Sequence, residues 1–82
     1  MNNVKQATQK AEKYLTNLIP GATNIVLEEV ELTEDEKYWF ITLSYNDPSE
    51  SKSVQNIFGK TVKIFKIRRD DGEVMAMKIR SV

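Results

Sequence analysis

The stretch FKIRRDDGEVMAMKIR, residues 65–80, places two strand-like runs on either side of an Asp-Gly pair. Asp-Gly between alternating apolar residues is a strong signal for a β-hairpin, whose type I′ turn needs positive φ at both central residues. We therefore predict a two-residue turn at Asp71 and Gly72. The acids Asp70, Asp71 and Glu73 then belong to the turn. We predict no metal site there, since a metal loop needs several oxygen ligands that converge on one point.

This turn also sets the predicted register of the hairpin, because the facing residues follow from the two central positions. The predicted pairs fall on two faces of the sheet. Toward the helix they are Ile64–Ile79, Lys66–Met77 and Arg68–Met75, and on the other face they are Lys63–Arg80, Phe65–Lys78, Ile67–Ala76 and Arg69–Val74. Phe65 and Ile67 are accordingly predicted to be exposed.

The remaining elements follow from the period of the apolar residues. Residues 3–19 repeat apolar side chains every three or four positions, which predicts a helix capped by Asn2 or Asn3 and ended by Pro20 and Gly21. Residues 24–32 predict a strand with a bulge near Glu28–Glu29, and residues 33–36 predict a polar turn. Residues 37–45 alternate strictly, which predicts a strand with Trp39, Ile41, Leu43 and Tyr45 on one face. Residues 46–53 have loop composition, while 54–59 fit a helical turn and an edge segment equally.

These elements predict a single α+β domain over residues 1–82, with an N-terminal helix packed on a curved four-stranded antiparallel sheet in the order α-β-β-β-β. The formal net charge is zero, but the charges are separated along the chain. Residues 28–50 carry eight acids against one lysine, and residues 51–82 carry eight bases against three acids. The local electrostatic field of each surface, rather than the net charge, will therefore determine which partners bind.

Several classes of chemistry are excluded by composition. The chain has no histidine and no cysteine, so nucleophile–histidine pairs and zinc sites with His or Cys ligands cannot form. Its three glycines are too far apart for a phosphate-binding loop. A carboxylate enzyme remains as an alternative, with candidates Glu28, Glu29, Glu31, Glu34, Asp35 and Glu36. We predict instead that this segment is solvated, and that the protein is no enzyme and binds no cofactor.

The first thirteen residues are polar, and no run approaches the ~20 apolar residues that a membrane span needs. We therefore predict a cytoplasmic protein with no membrane partner. The absence of cysteine fits a reducing compartment as well.

The predicted surface for a partner is the sheet face that the helix leaves uncovered. Its apolar and basic side chains are Tyr38, Phe40, Lys63, Phe65, Ile67, Arg69, Lys78 and Arg80. Exposed aromatic and aliphatic residues ringed by cations are unusual on a surface without a partner. Three kinds of partner fit this surface: a second copy that forms a homodimer, a different and acidic protein, or single-stranded nucleic acid bound by stacking and phosphate contacts. Nucleic acid is the least favoured.

The order of the elements carries a family resemblance. A helix followed by IPGA (19–22), four strands, and a closing DDGEVMAM (70–77) resembles the PepSY domain and, more broadly, cystatin-like folds, over roughly residues 4–80. The resemblance implies a module that binds or restrains a protein partner such as a peptidase. We therefore predict a small non-enzymatic protein-binding module, inhibitor-like or immunity-like, with a nucleic-acid-binding accessory protein or a carboxylate enzyme as alternatives.

Overall fold

The computed structural model describes residues 1–47, 56–57 and 60–79. One helix, α1 (Val4–Leu18), precedes five strands, β1 (Thr23–Leu32), β2 (Tyr38–Asn46), β3 (Asn56–Ile57), β4 (Lys60–Arg68) and β5 (Val74–Ile79). All pairings are antiparallel, and the strand order is β1-β2-β4. Both β3 and β5 pair with the outer edge of β4, β3 with its first two residues and β5 with residues further along. The predicted α+β architecture is confirmed, and the two-residue β3 lies in the stretch that the sequence left undecided. Most of the predicted loop over 46–53 lies outside the described residues.

The helix begins and ends where the sequence predicts. The Asn3 side chain accepts a hydrogen bond from the Gln6 N–H at 2.8 Å, and the Gln6 side chain accepts one from the Asn3 N–H at 2.9 Å. This capping box satisfies N–H groups that the first turn would otherwise leave unpaired. At the other end, the Ile19 N–H donates to the Leu15 carbonyl at 2.7 Å, just before Pro20. No helix within the described ranges is long and apolar enough to cross a membrane.

The core lies between α1 and the two central strands. Ala7, Ala11 and Leu15 are fully buried at a spacing of four residues, and the two alanines let the helix backbone approach the sheet closely. From β2 the core receives Ile41, Leu43 and Tyr45, and Trp39 packs beside them. This confirms the predicted inward face of β2.

Strand β1 contains the predicted bulge. Its pairing with β2 shifts between Leu27 and Glu29, and a second irregularity lies between Thr23 and Val26. These shifts allow both Ile25 and Val30 to pack against the core, although they lie an odd number of residues apart. Leu27 is only partly covered, with 44% of its surface exposed.

The hairpin turn differs from the prediction. The Arg68 N–H donates to the Glu73 carbonyl and the Gly72 N–H to the Arg68 carbonyl, both at 2.8 Å, so the loop comprises four residues, 69–72. Gly72 has the expected positive φ, of 75°, whereas Asp71 does not have positive φ. The predicted two-residue type I′ turn is therefore wrong. The wider loop lets Asp71 Oδ1 accept a hydrogen bond from the Glu73 N–H at 3.0 Å.

The wider loop changes the register and reverses the face of β4. Phe65 lies opposite Met77 instead of Lys78, and Ile67 lies opposite Val74 instead of Ala76. Phe65 and Ile67 are fully buried against α1, so their predicted exposure is wrong. The reason is desolvation, because the predicted register would have turned the cations of the alternate positions, Lys66 and Arg68, toward the helix. An irregularity between Lys66 and Ile67 leaves Met75 as the extra residue of β5.

Candidate functional site

The open face is the side of the sheet away from α1. Two cross-strand rows define it, Glu31–Phe40–Lys66–Ala76 and Glu29–Thr42–Ile64–Lys78, each read from β1 through β2 and β4 to β5. Each row begins with a glutamate on β1 and carries a lysine on β4 or β5. Among the described elements, only α1 packs across the sheet, and it covers the other face.

A groove of about 320 Å³ crosses the open face and is lined by Glu29, Glu31, Phe40, Thr42, Ile64, Lys78 and Ile79. Half-buried Phe40 and Ile64 form its apolar floor, together with the methyl-bearing Thr42. Exposed glutamates form the wall on the β1 side, and exposed Lys78 forms the wall on the β5 side. The groove can therefore accept an apolar side chain and orient it by charges of opposite sign.

Tyr38 extends the apolar surface beyond the groove. The Nζ atom of Lys66 lies 4.3 Å from the centre of the Tyr38 ring, within the range of a cation–π contact. This contact holds the ammonium group near the sheet instead of letting it extend into water. On the base-bearing side of the open face, Lys66 and Lys78 are joined by Arg68, which lies opposite Tyr38 on the same face of β4.

On the acid-bearing side, Glu28 has an internal hydrogen-bond partner. The Ser44 hydroxyl, which is 2% exposed, donates a hydrogen bond of 2.6 Å to Oε2 of Glu28. A buried hydroxyl without a partner would destabilise the fold, so this bond stabilises the bulge. Glu28 therefore serves the structure of β1, while Glu29 and Glu31 lie beside the groove.

The cations nearest the hairpin loop are paired. Arg68 donates to both carboxylate oxygens of Asp71, at 3.0 and 2.8 Å, and also contacts Glu73. These contacts lower the pKa of Asp71 to about 2, first through the hydrogen bond from Arg68 and then through the Glu73 N–H, and they raise the pKa of Arg68. Arg69 donates to Glu36 Oε1 at 3.2 Å. These groups close the loop and lie apart from the groove.

The acids of residues 28–36, which were the candidates for a carboxylate enzyme, have separate structural settings. Asp35 accepts hydrogen bonds from the Thr33 hydroxyl at 2.6 Å and from the Lys37 N–H at 3.0 Å, and these bonds lower its pKa. It therefore organises the β1–β2 loop, in which Glu36 adopts a positive φ of 59°. Within residues 1–47, 56–57 and 60–79, no group of three or more acidic side chains could hold a metal ion.

The structure places the predicted partner-binding residues in four settings. Tyr38, Phe40 and Lys78 lie on the open face, as predicted. Phe65 and Ile67 are core residues, which is a correction. Lys63 pairs with core-facing Leu43, while Arg69 lies in the hairpin loop, and both placements are also corrections. Arg80 lies outside the described residues.

Four side chains of the groove and its rim were not among the predicted partner-binding residues: Glu29, Glu31, Ile64 and Lys66. A signal for two of them was present in KIFKIRR (63–69). Each set of alternate positions holds two cations, Lys66 and Arg68 in one and Lys63 and Arg69 in the other. The second set has Phe65 and Ile67 at its centre and its cations at its ends, so the placement of the apolar residues could have decided the face.

No protein-family model matches the chain, and no curated protein or solved structure matches it either. The resemblance to PepSY and cystatin-like domains therefore stays a prediction.

Proposed function

We propose that this chain is a small non-enzymatic protein-binding module that acts through the open face of its sheet. The observation that carries the proposal is the groove, in which the apolar floor of Phe40 and Ile64 lies between a glutamate wall and a lysine wall. Apolar centres with charged rims are the usual composition of surfaces that bind proteins. Inhibitor-like or immunity-like action is the role we propose for such a module, and the cytoplasm is its proposed location.

The charge on the open face narrows the kind of partner. A nucleic-acid backbone placed over Lys66 and Lys78 would also meet Glu29 and Glu31 on the same face, and phosphates and carboxylates repel each other. A uniformly acidic protein would meet the same repulsion. The charges favour a partner with an apolar centre, a basic side and an acidic side.

Distance across the sheet disfavours an acid–base enzyme at this groove. Glu29 on β1 and Lys78 on β5 stand at opposite ends of one row of four strands. Three strand spacings of ~4.8 Å separate their backbones by ~14 Å. Catalytic acids and bases need to approach the same reacting group within hydrogen-bond distance. This pair is better suited to orienting a large partner.

Site-specific photocrosslinking in the cells that produce the protein tests the proposal. A photoreactive phenylalanine derivative replaces Phe40, and the control carries it at Lys13, an exposed position on α1. We expect a discrete protein adduct from position 40 and none from position 13, with mass spectrometry identifying the bound chain. No adduct at position 40, or equal yields at the two positions, would contradict a binding role for the open face.

A further inference from the structure

We infer that the partner on the open face is a second copy of this chain, docked about a two-fold axis that runs along the strands. This inference rests on the proposed function, because it names the occupant of the same surface. It follows from the way the charges are arranged across the sheet.

The open face is self-complementary in charge. The acids of its two rows, Glu29 and Glu31, lie on β1, and the lysines of the rows, Lys66 and Lys78, lie on β4 and β5. Rotation about an axis in the interface and parallel to the strands reverses the strand order of the second copy. Strand β1 of each copy then lies over β5 of the other, so that acid meets base twice.

The other simple two-fold arrangement is disfavoured. An axis in the interface but perpendicular to the strands keeps the strand order, and β1 then lies over β1. Glutamates would face glutamates at one side and lysines would face lysines at the other. Like charges brought together in this way oppose association, so the charges select the axis along the strands.

The same axis brings the apolar parts together. Strands β2 and β4 are adjacent in the middle of the sheet, so each β2 lies over β4 of the second copy. Because this rotation keeps each row at the same height along the strands, Phe40 of one copy lies over the row position of Lys66 in the other, and Thr42 lies over that of Ile64. Phe40 thus meets the aliphatic stem of Lys66, with Ile64 one row away, while each charged side finds its opposite.

The area of the open face predicts a weak dimer. Four strands at ~4.8 Å spacing and six residues at ~3.3 Å rise cover on the order of 400 Å². A standard protein interface buries about 800 Å² on each partner. Self-association should therefore be reversible and should become visible only at high protein concentration.

Charge reversal with complementation tests the inference. The acid-side variant carries Glu29→Lys and Glu31→Lys, and the base-side variant carries Lys66→Glu and Lys78→Glu. Sedimentation equilibrium up to millimolar concentration, at low salt, measures the dimer dissociation constant. We expect each variant alone to dimerise at least about tenfold more weakly than the native chain, because like charges then meet twice. Mixing the two variants should restore association, and so should placing all four substitutions in one chain.

Two controls keep the result interpretable. Circular dichroism and thermal melting show whether each variant is folded, and the single changes Glu29→Lys and Lys78→Glu, whose positions face each other in the proposed dimer, provide the same complementation with less perturbation. A native chain that stays monomeric at millimolar concentration overturns the inference, and so does a mixture that associates no better than its components. If the chain is monomeric while position 40 crosslinks to another protein, the inference fails and the proposed function stands. If position 40 gives no adduct at all, the proposed function fails as well.

Discussion

At the scale of single residues, Gly72 connects the hairpin loop to the N-terminal segment. Its φ of 75° is a conformation that residues with a side chain adopt at a cost. A Cβ atom at this position would also lie 2.9 Å from Oδ1 of Asn2. Asn2 is held there because its N–H donates to the Arg69 carbonyl at 2.7 Å and its own carbonyl accepts from Trp39 Nε1 at 3.0 Å. Glycine therefore provides both the backbone conformation and the space for this segment.

We predict that Gly72→Ala lowers the free energy of unfolding by about 1–3 kcal/mol, because it adds both backbone strain and a close contact. In a chain that also carries Asn2→Ala, the same substitution should be less destabilising, since the close contact is gone. Urea unfolding of the four chains in this cycle measures the two effects separately. An equal effect of Gly72→Ala in both backgrounds would remove the contact from the explanation.

Asp71 is the residue that should make the hairpin sensitive to acid. Its pKa falls from 3.8 to about 2 on folding, mainly because Arg68 donates to its carboxylate. A lowered pKa stabilises the folded chain fully above pH 3.8, and this stabilisation is lost as the pH falls through about 2. We predict that Asp71→Asn lowers the thermal midpoint at neutral pH and that the difference from the native chain shrinks across this window.

The neighbouring Asp70→Asn variant is the matched control, because Asp70 makes no hydrogen bond or ion pair with the described part of the chain. It should leave the acid dependence of the thermal midpoint unchanged. A carboxyl titration of Asp71 by NMR with a midpoint near 3.8 would show that the contact with Arg68 is absent in solution.

At the scale of elements, the face of β4 decides which aromatic residue is core and which is surface. Phe65 is fully buried, and its ring meets Tyr14 of α1 edge-to-face with centroids 6.3 Å apart. Phe40 of β2 lies half-buried on the open face. The two phenylalanines therefore have different roles, although both lie on central strands.

We predict that Phe65→Ala lowers the free energy of unfolding by about 3–5 kcal/mol, as removal of a buried aromatic ring does. Phe40→Ala should cost only about 1 kcal/mol, because its ring is partly solvated in the monomer. Chemical denaturation of both variants, below the concentration at which the native chain associates, provides the comparison. Equal losses of stability would contradict the assignment of Phe65 to the core and of Phe40 to the open face. A larger loss for Phe40→Ala would indicate that Phe40 is the core residue.

At the scale of the whole molecule, the sheet converts a charge pattern along the chain into one across a surface. The acidic residues come early, on β1, and the basic residues come late, on β4 and β5. Because β1, β2, β4 and β5 follow one another in space in the order of the chain, acids and bases arrive at opposite sides of the open face. A topology with a crossover would have mixed them.

This separation predicts that salt weakens association of the open face. The Debye length falls from ~30 Å at 0.01 M to ~3 Å at 1 M ionic strength, so the attraction between opposite sides is screened. We expect the dimer dissociation constant of the native chain to rise over this range, and that of each charge-reversed variant to fall. Sedimentation equilibrium at the two ionic strengths measures both. Native association that strengthens with salt would mean that apolar contact alone drives it.

Much of the fold could be predicted from local patterns. The apolar stripe, Asn3 and Pro20 mark the helix, the strict alternation after Lys37 marks β2, and the phase slip at Glu28–Glu29 marks the bulge. These features are local, because periodicity, caps and breakers act within a few residues. The alternation in β2 also predicts Tyr38 and Phe40 on the open face, whereas the prediction for Lys78 depended on a hairpin register that the structure corrects.

The register of the β4–β5 hairpin and the composition of the groove were decided only in the tertiary structure. Asp71-Gly72 suits both a two-residue and a four-residue loop, and local preferences between such turns are small. Burying Phe65 and Ile67 instead of Lys66 and Arg68 changes the free energy by several kcal/mol, and that choice exists only once α1 lies on the sheet. Local sequence patterns therefore specify the elements and the order of their charges along the chain. Packing determined which side of β4 faces the helix, and so which side chains remain on the open face.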